Sequence, residues 1–499
     1  MKRRRTLLQS SVTNDTSMTA VGLRSERGPV LLAIMVSTGL VAIDATILAT
    51  AVPSVVKDIG GFSAFPWLFS IYLLAQAVTV PIYSKLSDMI GRKPIIIIGI
   101  GLFLLGSVLS GFAWSMPALI AFRAVQGLGA GAVQPMSITI IGDIYSVAER
   151  ARVQGYVAGV WAVSSVVGPT LGGVFSQFIT WRWIFYVNVP ICILAVVLLM
   201  RGFHEKVERR PHRIDFTGAS LLAVSTALIV LGVLEGGVAW AWDSPTSILI
   251  FAIGAVALAG FILVERRAAE PVLPLWVFRR RLLLTTSLVG FGVGGALIGL
   301  SSFVPTYLEG SIAATPLIAG LALAALTLGW PVAATYAGRL YLRIGFRLTA
   351  LIGTAFVVVG TIVLAAFGPA PSLIVVAVSC FVIGFGFGWS AVPTLIAAQA
   401  SVGWGERGVV TGANMFARSI GSAVGAAIFG AIANGVIAAH GGDEKVPATV
   451  ALASTGVFIG IAITAALIVL AVLAMPKTPV AASASAPPAT DASDAVIAG

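Results

Sequence analysis

Asp44 lies within GLVAIDATILATAVPSV (residues 39–55) and is the clearest carboxylate deep inside a long apolar run of this chain. It stands about fourteen residues into the run, roughly 21 Å along a helix at 1.5 Å per residue. Burial disfavours the charged form of a carboxylic acid, and an ionisable group at that depth is a functional candidate by default. Such an acid can take up and release a proton, and when ionised it can hold a cation. Both uses compete for one carboxylate, which is one route to exchange chemistry. The competing reading is a structural acid hydrogen-bonded to a neighbouring helix. Arg123 supplies the complementary charge from the apolar run 117–142. Arginine keeps its proton and acts on any carboxylate it approaches, so relative movement of the two would admit or release a proton. Gln126, one turn further, can bond Arg123 or a bound molecule. Here the alternative is an arginine that only caps carbonyls.

Three further groups have suggestive spacing. Asp88, Arg92 and Lys93 crowd a short turn closed by Gly91, and Asp143 at the end of the fourth apolar run is placed to pair with Arg92. The bland reading of this turn is a solvated basic loop. In VVGPTLGG (166–173), Gly168, Pro169, Gly172 and Gly173 strip one helix face of side chains and remove a backbone donor. In lipid this suits a close, bendable helix contact, expected to act as an interface and gating seal where the fifth helix meets a helix of the second half. Simple small-residue packing is the alternative. Tyr72, Gln76, Trp161, Phe303, Tyr307, Trp389 and Asn414 are candidates to line a cavity, as are Trp67, Phe69 and Phe416. Aromatic rings offer large apolar contact and attract cations through their faces, although each alone also suits a core or lipid-facing position. Glu309 reads as a solvated rim charge, with a second acidic site as the alternative, and Arg418 has no evident partner in the sequence.

Other chemistries find little support. Cys192 and Cys380 sit in separate apolar runs without zinc or disulfide spacing. His204, His212 and His440 fall in loops. No glycine is followed by lysine, so no Walker A loop exists. No cofactor, metal or enzymatic activity is expected. If the chain moves something uphill, an ion gradient and not bound ATP must supply the energy.

The elements positioning these residues follow from composition. Hydrophobic residues make up 58% and charged residues 10% of 499, and mean hydropathy is +1.00. Charges gather between fourteen apolar runs of about 20 residues, the length that spans the hydrocarbon core. The runs begin at 30–52 and end at 447–474; those at 215–234 and 246–265 have the least defined ends. Assigning alternate loops to opposite sides puts 26 lysines and arginines on one side and three on the other, with Arg123 and Arg418 inside helices. This is the positive-inside pattern. It explains the net charge of +11 without nucleic acid and predicts both termini in the cytoplasm. MKRRR at the start is too far from an apolar run to be a signal peptide.

The chain also repeats itself. ERARVQG (149–155) matches ERGVVTG (406–412), and GLGAG (127–131) matches GFGFG (384–388), both at an offset of 257. Gly168 and Gly173 map to Gly425 and Gly430, and SKLSDMIGRK (84–93) matches GRLYLRIGFR (338–347) at 254. The expected fold is an all-α membrane protein of fourteen transmembrane helices: two six-helix bundles related by the repeat, with an inserted pair between them and a site at their interface near the midplane. The divisions are a basic tail (1–29), a first bundle (30–201), the inserted pair with its loops (202–281), a second bundle (282–474) and a disordered tail (475–499). The repeat fails at Arg123, Gln126, Pro169 and Asp88, matched by Cys380, Ile383, Ala426 and Leu342. Charge handling is therefore assigned to the first bundle.

These motifs resemble the major facilitator superfamily, in particular its fourteen-helix drug:proton antiporter branch. Residues 39–55 resemble the first-helix motif, with Asp44 at its acidic position. SKLSDMIGRK resembles motif A, with Ser84 where glycine is usual. RAVQGLGAG (123–131) resembles motif B, and GVWAVSSVVGPTLGG (159–173) resembles motif C, the antiporter signature. WRWIFYVNVP (181–190) resembles the start of the branch's sixth helix. The resemblance covers about residues 30–475. It implies the major facilitator fold, a role for Arg123 in proton transfer, and a gate in which Asp88, Gly91, Arg92, Lys93 and Asp143 lock the second helix against the eleventh. The start of the eleventh helix, near Arg347 and Leu348, would then face Asp88.

The expected function is proton-coupled export, by alternating access, of amphipathic cationic or neutral small molecules across the plasma membrane. Coupling falls to Asp44 and Arg123. Cargo contacts fall to Asp44, Tyr72, Gln76, Gln126, Trp161, Phe303, Tyr307, Trp389 and Asn414. A dedicated exporter of an endogenous antibiotic, siderophore or lipid would share this design. A non-transporting membrane receptor is the remaining alternative.

Overall fold

Fourteen helices among the described residues are long and apolar enough to cross a membrane. The computed structural model describes residues 22–60, 64, 67–205, 215–237, 239–268, 270–440 and 446–477. The start of the basic tail, His212 and most of the expected C-terminal tail lie outside these residues. The spans are α1 (Gly28–Ile59), α2 (Trp67–Ile90), α3 (Arg92–Gly111), α4 (Met116–Ile144), α5 (Val147–Phe178), α6 (Asn188–Gly202) and α7 (Phe216–Glu235). They continue as α8 (Pro245–Glu265), α9 (Arg281–Ile312), α10 (Pro316–Ile344), α11 (Phe346–Ala366), α12 (Leu373–Ala400), α13 (Arg407–Ala439) and α14 (Pro447–Ala474). Single helical turns precede α6 and α9. The two least defined runs form helices within a residue or so of their expected ends.

Local chemistry sets these boundaries. Ser115, Ser146, Ser244 and Thr315 cap α4, α5, α8 and α10 by accepting backbone N–H groups that would otherwise lack partners. At α5 the cap is reciprocal, because Glu149 reaches back to the Ser146 amide. One residue, Gly91, separates α2 from α3, and one, Gly345, separates α10 from α11. Both turn the chain at positive φ, 102° and 86°, which glycine adopts without steric cost. They are equivalent under the sequence repeat.

The repeat extends to packing. Gly127 and Gly131 of α4 lie against the α2 backbone at Tyr72 and Gln76, while Gly129 faces Gly99 and Phe103 of α3. Their counterparts Gly384 and Gly388 of α12 lie against α10 at Leu326 and Trp330, and Gly386 faces Gly353 of α11. Alternate glycines thus let the fourth and twelfth helices approach two neighbours each.

Helices α1–α6 pack among themselves, as do α9–α14. The two sets meet along α2–α13 and α5–α10. The pair α7 and α8 packs together, and α7 lies across α2 and α13, where Val230 joins Leu74 and Ala423 in an apolar cluster. The inserted pair therefore covers one seam between the two sets. Every hydrogen bond between the sets, among the described residues, lies at the end carrying the basic loops. We call this the basic end.

Candidate functional site

A buried polar cluster is built by five helices of the first set. Asp44 on α1 is 1% exposed and Arg123 on α4 is 2% exposed. Arg123 Nη1 donates to Asp44 Oδ2 at 2.7 Å and to Gln126 Oε1 at 2.8 Å. Gln126 Nε2 donates to Asp44 Oδ1 at 2.7 Å, and Asn188 Nδ2 of α6 donates to the same oxygen at 3.2 Å. Ser107 of α3 accepts from both amides and donates to the Phe185 carbonyl. Arg123 Nε donates to the Leu68 carbonyl, and its guanidinium stands 4.3 Å from the Tyr72 ring centre. A charge pair in the membrane interior is tolerable only when hydrogen bonds complete it; here three donors meet the carboxylate. Even so, the Tyr72 hydroxyl and Asn188 Oδ1 are buried without partners.

Asp44, Arg123, Gln126 and Tyr72 are thus brought together as their types suggested. Gln76, one turn beyond Tyr72, bonds Gln134 at 3.1 Å instead. Trp161 is half-buried on α5, outside the network. The remaining cavity candidates belong to the second set and are engaged there. Phe303 packs against that set's apolar core. Tyr307 is buried, donates to the carbonyls of Phe367 and Gly368, and meets the Phe458 ring edge-on. Trp389 donates to the Ala333 carbonyl at 2.8 Å, and Asn414 to that of Thr286 at 2.8 Å. These groups join helices of the second set, and the structure does not gather them at Asp44. Glu309 is exposed near the end of α9 away from the basic loops. Asn188 and Ser107 were missed. Asn188 lies within WRWIFYVNVP, and its position between apolar residues was the available signal.

The second cluster closes the basic end. Arg92 is fully buried and bonds Asp143 Oδ2 at 2.9 Å, Asp88 Oδ1 at 2.7 Å, the Ser87 carbonyl at 2.9 Å and the Trp404 carbonyl at 2.6 Å. Its guanidinium also stacks on the Trp404 ring at 3.7 Å. Arg407 bonds Asp143 Oδ1 and the Gly142 carbonyl. Its repeat counterpart Arg150 converges on that same carbonyl. Asp88 accepts the backbone N–H groups of Gly408 at 3.0 Å and Val409 at 2.8 Å. It therefore caps the positive end of the α13 dipole. Beyond the spans, Glu205 accepts the amides of Arg92 and Lys93 at the start of α3. Burial pushes its carboxyl above the usual range against the pull of those amides and of Arg92. Lys93 Nζ reaches the Met200 carbonyl.

Two expectations are corrected. The helix facing Asp88 is α13, not the eleventh span. With an inserted pair between the sets, the helix occupying the eleventh place in a twelve-helix plan is the thirteenth here, and Arg347 instead bonds the Leu473 carbonyl. The glycines of 166–173 do not meet the second half. A Cβ at Gly168 or Gly172 would strike Thr46, Ile47 and Thr50 of α1, and Thr50 donates to the Pro169 carbonyl. Gly173 faces no close neighbour. The fifth helix does touch α10 of the second set, but nearer the basic end, at Gly155 beside Thr335 and where Tyr341 bonds the Val147 carbonyl.

Known proteins resemble this chain in sequence and in fold. A family model described as Major Facilitator Superfamily matches residues 34–426. Multidrug resistance protein 3 of Bacillus subtilis is 34% identical over 82% of this chain and 80% of its own. Multidrug transporter protein MdtP of the same organism is 32% identical over 84% and 77%. Efflux pump dotC of Dothistroma septosporum is 30% identical over 79% and 69%. Among solved structures, the human organic anion transporter MFSD10 aligns with a TM-score of 0.65 at 14% identity, covering 90% of this chain and 99% of its own. The proton:xylose symporter XylE aligns with 0.61 at 15% identity, covering 91% and 97%. A buried ion pair inside the first six helices, a hydrogen-bonded cluster joining the two sets at one end of the seam and a matching family model converge: this chain is a multi-pass membrane transporter, not an enzyme, and belongs to the major facilitator superfamily.

Proposed function

We propose that the protein is a proton-coupled exporter of amphipathic small molecules, with the basic end and both termini in the cytoplasm. The positive-inside distribution supports the orientation. The relatives named multidrug resistance protein and multidrug transporter support efflux of foreign compounds. With that orientation, the hydrogen bonds that join the two sets all lie on the cytoplasmic side, which supports a state closed toward the cytoplasm.

The observation that carries the reading is the Asp44–Arg123 pair at 2.7 Å, buried at membrane depth. While the two are together, the charges compensate. A rearrangement within the first set that draws α1 from α4 as the two sets rock would strand a carboxylate in a poorly solvating interior, where the neutral acid is favoured. The acid then takes a proton, and re-forming the pair expels it. Pairing and separation thus tie protonation to conformation, which is what antiport requires. Both Asp44 oxygens accept hydrogen bonds within the first set, which supports a proton-carrying part for this acid in the present state. One charge falling through 100 mV supplies about 2.3 kcal/mol, enough for a cargo ratio of about fifty at 1.4 kcal/mol per decade.

The test is transport by the purified protein in liposomes. A pH gradient should drive uphill cargo movement by the native chain and not by Asp44→Asn, while counterflow without a gradient persists in both.

A further inference from the structure

Arg418 stands apart from the other deep cations. It lies eleven residues into α13, about 16 Å from the start of that helix. Arg92, Arg123, Arg150 and Arg407 each hold hydrogen bonds to carboxylates or carbonyls. Among the described residues, the guanidinium of Arg418 meets no carboxylate and no hydrogen-bond acceptor. It stands over the Trp330 ring of α10, with the guanidinium carbon 5.7 Å from the ring centre.

The geometry around it is that of a fixed base and a free head. The Arg418 carbonyl lies directly against Gly294 of α9, and Ser422 Oγ one turn on donates to the Gly294 carbonyl at 3.0 Å. These contacts hold the α13 backbone. The side chain then crosses toward α10, a helix that does not pack along α13. Arg418 and Trp330 are both half-buried, so neither side chain is fully enclosed by its neighbours. Behind them, Trp330 leans on the buried Phe387 ring at 5.8 Å.

An uncompensated cation at bilayer depth is costly and marks a pathway or a binding site. Guanidinium presents a planar fork of donors that matches a carboxylate or sulfonate, and the adjacent indole offers a flat apolar face. We propose that Arg418 and Trp330 form a recognition site for cargo bearing an anionic group on an aromatic body. The anion would sit on the Arg418 fork and the ring beside Trp330. The proposal rests on the transporter reading only in calling the ligand cargo; binding here needs no proton coupling.

A matched pair of probes tests it: 1-pyrenebutyrate, and the same pyrenebutyl body ending in trimethylammonium. Both are titrated against the purified full chain in detergent at neutral pH with no gradient. The native protein should bind the anion at least about tenfold tighter than the cation, a modest return for one charge-assisted contact. Arg418→Gln should abolish that preference by weakening the anion alone, and Trp330→Leu should weaken both probes. Thermal midpoints report whether each variant folds. Equal affinity of the native protein for the two probes would overturn the proposal even if no variant folds, and so would an anion preference that survives Arg418→Gln. Failure of proton coupling would instead appear as gradient-driven transport by Asp44→Asn, which this titration does not register.

Discussion

At Asp44, three donors from two neighbouring helices converge on one carboxylate, and each alone would be an expensive group to bury. The cluster therefore holds together as a unit. Arg123→Leu should destabilise the protein by about 3–5 kcal/mol, the usual loss when one partner of a buried pair is removed. Combining Asp44→Asn with Arg123→Gln should recover most of that stability, since no lone charge remains, yet leave gradient-driven transport absent. Thermal unfolding together with driven transport separates the structural share from the functional one. The acid and the arginine were legible because a charge inside a 20-residue apolar run is conspicuous. Asn188 and Ser107 were not: neutral polar residues are common in such runs, and only the fold shows that they aim at the same oxygen.

Helices determine which of these groups can move. The α1–α5 contact is made close by Gly168 and Gly172, so Gly168→Val should drive a side chain into Thr46 and cost about 1–3 kcal/mol, the range for overpacking. Gly173→Ala, facing no neighbour, should leave the unfolding midpoint nearly unchanged. If both behaved alike, the assignment of that glycine face to α1 would be wrong. At the basic end, Asp88 joins α2 to the start of α13 through two backbone amides. Asp88→Asn removes the charge that meets the helix dipole and should bias the gate toward opening. A cysteine placed at Ser84, buried beneath Gly412, should then react faster with a water-soluble maleimide than it does with Asp88 intact. Small-residue spacing disclosed that a helix face was bare, and the acidic turn disclosed a cap in search of a helix. Neither pattern encodes which helix arrives, because that depends on rotation and on the two spans inserted between the sets.

Across the whole molecule, hydropathy and loop charge were sufficient for fourteen spans, and the offset of 257 marked real equivalences. Gly91 and Gly345 turn alike, and the glycine triads of α4 and α12 grip two neighbours in the same way. The repeat breaks where chemistry is concentrated, with Cys380 and Ile383 packing in the apolar core of the second set opposite Arg123 and Gln126 of the first. The place of α7 across the α2–α13 seam was not legible, since an apolar helix of even hydrophobicity gives no sign of the surface it covers. The account as a whole requires that proton movement through Asp44 drives cargo movement through the seam. The most direct measurement records both in one population of liposomes, with a pH-sensitive dye inside and labelled cargo on an imposed gradient. The native chain should move protons and cargo in opposite directions at a fixed ratio, and Asp44→Asn should move cargo only downhill with no proton signal. Uphill cargo transport by Asp44→Asn, with proton movement intact, would contradict the account.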